Sequence, residues 1–537
     1  MTIRIEALTS FPSGDGWAEE WESLLERSQT EEVFCTYAWS QACAEFDCDR
    51  QPLILAGYDQ GRLVGLAPLA RRQVSRGPFT SWRLEFLALP WADYCDVIAE
   101  PERREEFFKG CLEYLETNHT QWDEIRLANL PGDSPTAKLF EGLAGVRGLH
   151  ARVRCTHAGP VLDLTEAEPA ALDRLLEKKG VVRKAKALAR RGHVEFKVLR
   201  TEAEVRPLLQ DFYRFHTARY LICAQPSSLD PEQDSSLCRL FDHLTAKLSP
   251  LGRVCVPVLF LDGRPIALFF GFEYRGSLTL YATTFDIGLL GTSPGEILAL
   301  EVARYCRAVG IERLDFGVGE EAYKFRFTNT LRRNCELTIH RNALAASASA
   351  TYAWAKAKAK GCPPLAHMAR TGKHLWRVAK MEAQRVGVRR AVGSFLVEGG
   401  RWLARTTNAH PQSESDLALD DRREVLLPAG VELVELQARD LVAAVMKYQR
   451  VLPAWHFKRA LAYLRRGHRC FLAFDGEHLV QIIWSSQPCG TEEGQGSTGS
   501  RPEFMVSELW PAERRTIDGR ALLDYRLGTH QSLGKSH

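Results

Sequence analysis

The sequence predicts an α/β protein built from repeated units, each a mixed sheet flanked by helices. Three observations lead there. One strand–turn–strand pattern recurs at wide spacing: PLILAGYDQGRLVGLAPLARR from Pro52, VPVLFLDGRPIALFFGFEYR from Val256 and HRCFLAFDGEHLVQIIWSS from His468. The first two copies are followed by the same order of another strand, a loop, a helix and a further strand. The chain of 537 residues also exceeds what one core holds, because domains run to roughly 150 residues.

Composition sets the bounds. Hydrophobic residues at 45% and charged residues at 26% are globular values, so the chain can bury enough apolar surface to fold. A net charge of +3, from 70 Lys and Arg against 67 Asp and Glu, gives no whole-chain argument for DNA or a membrane as partner. The 14 cysteines are scattered without the spacing of a metal site, which predicts reduced, mostly buried thiols and no metal. The N-terminal MTIRIEALTSFPSGDGW lacks an apolar signal core, and the most hydrophobic stretch, Val254 to Phe272, is interrupted by Asp262, Gly263 and Arg264. The expectation is a cytoplasmic protein.

Along the chain, each hairpin carries an Asp with Gly at or near its turn, residues that tolerate the positive φ of a two-residue turn. After the first hairpin come the strand SWRLEFLAL, a break near Pro90, the helix REEFFKGCLEYLETN and the strand WDEIRLANL. From Lys178 to Arg191, KKGVVRKAKALARR puts seven cations on a helix, which reads as a solvated face or as a seat for a phosphate-rich ligand. The stretch ending at Tyr220, FYRFHTARY, carries His216 and Arg219 on a helix. The second hairpin leads to SLTLYATTFD, the loop GLLGTSPG, the helix EILALEVARYCRAVG and the strand IERLDFG. The third leads to EFMVSELW and PAERRTIDGRALLDYRLG, where a last strand is missing.

Between these units, Ala-, Lys- and Arg-rich sequence over 343–405 predicts basic helices that link domains or rest on an acidic partner or membrane surface. Polar stretches near 407–421 and 490–502 read as linker and loop. The expected organisation is a degenerate unit at 1–155, a catalytic unit at 156–342, a basic helical linker at 343–425 and a truncated unit at 426–537.

This order resembles the GNAT acyltransferase superfamily, and the resemblance implies that acyl-coenzyme A wedges between two splayed parallel strands with its pyrophosphate on the following loop. PAERRTIDGRALL is similar to the family's phosphate loop, with Thr516 in place of the usual Gln or Arg, Gly519 matching and Ala521 last. The basic helix, the SPG loop and DFGVGEEAYKFRF look like the acetyltransferase domain of proteins named for cellulose or exopolysaccharide biosynthesis, relatives of Fem-type aminoacyltransferases. Such proteins commonly hold two units in tandem, the first degenerate. The function implied is transfer of an acetyl or other acyl group from acyl-CoA, with no metal, to an amine or hydroxyl on a small molecule, saccharide or peptide, in cell-envelope polysaccharide biosynthesis. The rival readings are a Fem-type enzyme using aminoacyl-tRNA and a non-catalytic scaffold.

Two clusters carry the expected chemistry. Gly291, Thr292, Ser293 and Gly295 precede or open the helix from Glu296, with Ser293 placed to cap it and Pro294 in its first turn, so backbone amides face an anion. Glu296 opposes that anion. Asp315 closes a predicted strand, where open α/β sheets bind ligands, and Glu320, Tyr323 and Lys324 follow. Asp315 or Glu320 would serve as base, Tyr323 as acid for the leaving thiolate and Lys324 as anion anchor. Tyr281 reads as core or pocket wall.

Overall fold

The computed structural model describes residues 3–344, less short breaks at 47–48, 77–78, 119–121, 166–168, 224, 232–235 and 320, and segments of 346–508 that include 431–437, 440–449, 454–465, 469–475, 478–485 and 504–508. The chain divides into two compact bodies, one of Met1–Phe212, Pro231–Thr284 and Thr292–His367, the other of Tyr213–Asp230, Phe285–Gly291 and Met368–His537.

One sheet holds β1 (Arg4–Leu8), β2 (Gln51–Asp59), β3 (Arg62–Arg76), β4 (Phe79–Phe86), β5 (Ile98–Ala99), β6 (Glu124–Pro131), β7 (His150–Asp163), β8 (Val194–Leu199), β9 (Val254–Leu261), β10 (Arg264–Tyr274), β11 (Ser277–Phe285), β12 (Arg313–Asp315) and β13 (Thr330–His340). Its order is β1-β2-β3-β4-β6-β13-β7-β12-β11-β10-β9-β8, with β5 added beside β3. From either edge inward the same sequence appears: four strands in chain order, then a strand parallel to the fourth. The Pro52 and Val256 hairpins therefore hold mirrored places. Their turns put Gln60 (φ 51°) with Gly61 (φ 83°) and Asp262 (φ 51°) with Gly263 (φ 76°) in the left-handed region, the geometry that matches strand twist. In the first hairpin it is Gln60, not Asp59, that takes the strained position.

At the centre the halves exchange strands. β7 follows β6 in the chain but pairs with β12, while β13 follows β12 but pairs with β6. The two exchanged strands also pair with each other from Thr330 opposite Val161 to His340 opposite His150. Residue 155, the expected end of the first unit, lies inside β7. A seam of aromatic rings reinforces the join: Phe34, Trp39 and Tyr94 of the first half meet Phe272 and Tyr281 of the second, with centroids 4.7–6.0 Å apart within the cluster. Such side chains bury about 150–250 Å² each, so the halves share a core.

In the second body, β14 (Val431–Leu436), helices Leu441–Tyr448 and Ala454–Arg465, β15 (Arg469–Asp475), β16 (His478–Ser485) and β17 (Phe504–Glu508) form a four-stranded antiparallel sheet in chain order. The order strand, two helices, three strands is also that of β1 with helices Asp15–Arg27 and Tyr37–Phe46 before β2–β4. It recurs as β8 with the main helices Leu209–Ile222 and Ser236–Leu248 before β9–β11. Each repeat thus begins a strand and two helices before the hairpin that marks it in the sequence. Thr516, Gly519 and Ala521, the 490–502 loop and nearly all of 343–425 lie outside the described residues. No described helix is long and apolar enough to cross a membrane.

Candidate functional site

The two parallel strands β11 and β12 pair over only three residues, Ser277–Thr279 against Arg313–Asp315. Beyond them the chain after β12 stays with β7, as Phe316 N–H donates to Pro160 O and Gly319 N–H to Ala158 O. The remainder of β11, Leu280–Phe285, therefore loses its partner on that side, and the strands part. Gly317 sits at the apex with φ of 69°, where an added Cβ would lie 2.7 Å from Asp93 Oδ2 and 3.0 Å from Leu280 O.

Asp93 comes from the first half, on the loop that follows β4. Its Oδ2 accepts from Val318 N–H (3.1 Å), and its backbone oxygen accepts from Asn334 Nδ2 (2.9 Å). Burial pushes its carboxyl up to about 7, with the Val318 amide pulling back and the nearby Asp315 adding to the rise. Asp315 is 5% exposed and accepts from Gly317 N–H (2.7 Å). Burial raises its pKa too, opposed by the neighbouring Tyr94 hydroxyl and the charge of Arg332. Two carboxyl groups with raised pKa thus face the point where the strands separate.

Tyr323 lies across the gap, its hydroxyl 3.4 Å from Thr283 Oγ1 on the part of β11 beyond its pairing with β12. Lys324 is 6% exposed, and its ammonium donates to Gly317 O (3.4 Å) and Val318 O (3.3 Å) and pairs with Glu321 (3.0 Å). That arrangement makes Lys324 a positioning residue for the 317–318 loop, and its expected role as an anion anchor is replaced by this inward one. Glu320 lies outside the described residues.

Asp315 also lines a cavity of about 480 Å³ on one face of the central strands. Ser277, Thr279, Arg313 and Cys335 share its floor, while Glu31–Val33 and Gly132–Asp133 wall it. Arg332 pairs with Glu32 at 2.6 Å and lies 4.5 Å over the Tyr94 ring, and Arg313 pairs with Glu31. Asp133 is the carboxylate left most open to water, 76% exposed in its side chain.

At the start of helix Pro294–Val309, Ser293 occupies the N-cap position with φ of 53°, and its side chain makes no cap bond. This corrects its expected role as a side-chain cap: the residue takes left-handed backbone in place of the extended one from which a cap side chain reaches the first-turn amides. Its carbonyl instead accepts from Glu296 and Ile297 N–H, while Pro294 has none to offer. Gly295 keeps a free amide in the first turn, Thr292 is buried, and Gly291 lies in the short turn Ile287–Thr292 with open space around it. Glu296 is held between Lys184 (2.7 Å) and Arg326 (2.5 Å), so its charge no longer opposes an anion there.

Residues 176–325 match the acetyltransferase (GNAT) domain family. The splayed pair β11 and β12 and the helix opened by Pro294 both fall inside that GNAT match. Among solved structures, the chain is similar to FemX (11% identity, 62% of this chain and 96% of that one, TM-score 0.43). It is also similar to L-PGS from Bacillus licheniformis (11%, 64% and 96%, 0.39) and to a tandem GNAT protein from the clavulanic acid biosynthesis pathway, solved without AcCoA (12%, 63% and 99%, 0.35). No curated protein matches the chain in sequence.

Within the matched residues, Asp315, Tyr323 and Lys324 gather around the parting strands. His216 is elsewhere in role: its Nδ1 bonds Ser227 Oγ at 2.8 Å, its ring stacks on Tyr220, and burial, then Arg219, lowers its pKa to about 3. It stays neutral and packs. Of the two readings of Tyr281, core is the one observed: it donates its hydroxyl to Trp91 O (2.8 Å) within the aromatic seam and does not line the cavity. Asp93, Tyr94, Glu32 and Arg332 were not anticipated. The signal for the first two lay in the repeat itself, since ALPWADYCD follows β4 as GLLGTSPG follows β11.

Proposed function

We propose that the chain transfers an acyl group from acyl-CoA to an amine or hydroxyl acceptor, with the thioester lodged where β11 and β12 part and the acceptor entering from the cavity beside Asp315. The observation that carries this reading is the three-residue pairing of β11 with β12, which opens a slot between parallel strands and places Asp93, Asp315 and Tyr323 at its edges.

An amine must lose a proton to attack the thioester carbonyl, and the departing thiolate must gain one. Asp93, partly exposed and titrating near 7, takes the proton, while Asp315, more deeply buried and held by Gly317, positions the loop that presents the slot. Tyr323 donates to the thiolate. The Gly295 amide, with Lys184 and Arg326 beside it, receives donor phosphate at the helix start. The carboxylates of the cavity favour an acceptor that carries an ammonium group, such as an aminosugar or amino acid of the cell envelope.

A second reading keeps the slot and changes the donor to aminoacyl-tRNA. It is favoured by helix Lys179–Ala189 and the turn after it, on which Lys179, Arg183, Lys186, Arg190 and Arg191 are exposed and unpaired. Calorimetry of the full chain with acetyl-CoA, beside a filter-binding assay with aminoacyl-tRNA, separates the two. Binding of acetyl-CoA alone supports the first reading, and binding of tRNA alone overturns it.

A further inference from the structure

Strands β7 and β13 bring two cysteines face to face on the cavity floor. Cys155 and Cys335 are direct cross-strand partners, and their Sγ atoms lie 3.9 Å apart. Both border the cavity. Facing residues of an antiparallel ladder have Cα atoms about 4.5–5.5 Å apart, inside the range of about 4.4–6.8 Å that a disulfide spans, so the ladder holds the pair near bonding range. The register shifts between Arg333 and Cys335, which leaves β13 an irregular step beside the thiol that must move. Among the described cysteines only Cys155 and Cys223 are exposed, and apart from the partly buried Cys335 the rest are buried.

We infer that Cys155 and Cys335 are a reversible dithiol–disulfide site for a hydroperoxide, closing a covalent link between the two exchanged strands. Exposure makes Cys155 the sulfur that meets the oxidant. Its thiolate attacks one peroxide oxygen, the O–O bond breaks, and Cys155 becomes a sulfenic acid as the other oxygen leaves as hydroxide. Cys335, half-buried and with its thiol pushed up by burial and by its bond to Cys155, stays protonated until that step. It then gives up its proton and displaces hydroxide from the Cys155 sulfur, forming the S–S bond and releasing water. Two thiols are oxidised by two electrons, and hydrogen peroxide is reduced to two waters. A dithiol reductant reverses the change. The link encloses β8 through β12 in one covalent loop, and the sulfurs close to about 2 Å. Neither cysteine takes part in the acyl-transfer mechanism, so the inference stands apart from it.

The test oxidises the intact full-length protein with hydrogen peroxide, blocks remaining thiols and digests without reduction. Mass spectrometry is expected to find the Cys155 and Cys335 peptides joined, with dithiothreitol separating them. In Cys335→Ser, dimedone is expected to trap the Cys155 sulfenic acid, because its resolving partner is gone. Cys223→Ser should leave the joined peptide unchanged. Wild-type protein in which Cys155 advances to sulfinic acid with no joined peptide would overturn the proposal. So would joining of Cys155 to any cysteine other than Cys335.

Discussion

The loops that follow β4 and β11 hold equivalent places in the two halves and do opposite things. After β4 the chain folds back into its own strand gap: Cys95 N–H donates to Asn129 O (2.9 Å), and Asn129 Nδ2 donates to Ala92 O (2.8 Å), so β6 is bridged to the loop. After β11 the chain leaves through a short turn into helix Pro294–Val309, and among the described residues no hydrogen bond of that kind bridges the turn to β12. One repeat closes its slot with its own backbone, and the same closure delivers Asp93 to the slot of the other. A duplicated fold can thus divide labour, with one copy supplying the opening and the other a titratable group.

The largest test of this comparison is Asp93→Asn. If Asp93 accepts the proton, turnover should fall by about 10²–10⁴, the usual worth of a positioned base. Wild-type turnover should rise with pH through about 7, and the variant should lose that rise. Stability should move the other way. The folded pKa lies above the ordinary value near 4, so the folded state binds this proton more tightly, and stability falls as pH rises from about 4 to 7. The accumulated penalty above pH 7 is on the order of 4 kcal/mol, and Asn removes it. Thermal melts at pH 8 should therefore show the variant more stable than wild type, with the difference gone near pH 4. A variant with normal kinetics would return Asp93 to a structural role.

Next in size is Gly295→Asp, which puts a carboxylate at the free amide of the open slot. Losing two charge-assisted hydrogen bonds to phosphate would remove about 3 kcal/mol, over a hundredfold in donor affinity. Calorimetry with acetyl-CoA reads the loss directly, and a folded variant with wild-type affinity would place the phosphates elsewhere. Tyr323→Phe should follow, lowering turnover about tenfold without changing donor affinity if its hydroxyl protonates the thiolate. Equal rates would reduce the Tyr323 contact with Thr283 to packing. Lys324→Ala is a poorer probe than the loop's composition implies, because Lys324 and the neighbouring Phe327 are buried and its loss loosens the backbone it holds.

How much of this was legible follows from range. The hairpins announced themselves because a turn with two left-handed residues needs Gly and its tolerant neighbours within a few positions. Asp315 was found because the end of a strand is a local feature. The short strands RIEAL, VEFKVL and VELVEL that open each repeat were missed, being too brief and too charged to stand out. The strand exchange could not be read at all: nothing near His150 states that its partner is His340, since register between distant strands is decided by packing. Asp93 failed for the same reason. Its loop reads as a break at Pro90, and its chemistry exists only once Gly317 and Val318 arrive from over two hundred residues away.

The smallest expected effect probes the closure itself. Asn129 sits at φ of 60° and ties β6 to the loop through its side chain. Asn129→Gly keeps the backbone conformation and removes the hydrogen bond, so it should cost about 1 kcal/mol, whereas Asn129→Ala adds about 1 kcal/mol more of left-handed strain. If the closure positions Asp93, both variants should lose a few-fold in turnover while donor affinity stays unchanged, because the slot between β11 and β12 is built from other residues. The pH at which turnover rises should also shift downward, since a looser loop admits water to the carboxylate and relieves the burial that raises its pKa. Paired melts and pH profiles of the two variants check this. Lower stability with an unmoved pH profile would mean that Asn334 and Val318 fix Asp93 unaided, and the closed gap of the first half would then serve that half alone.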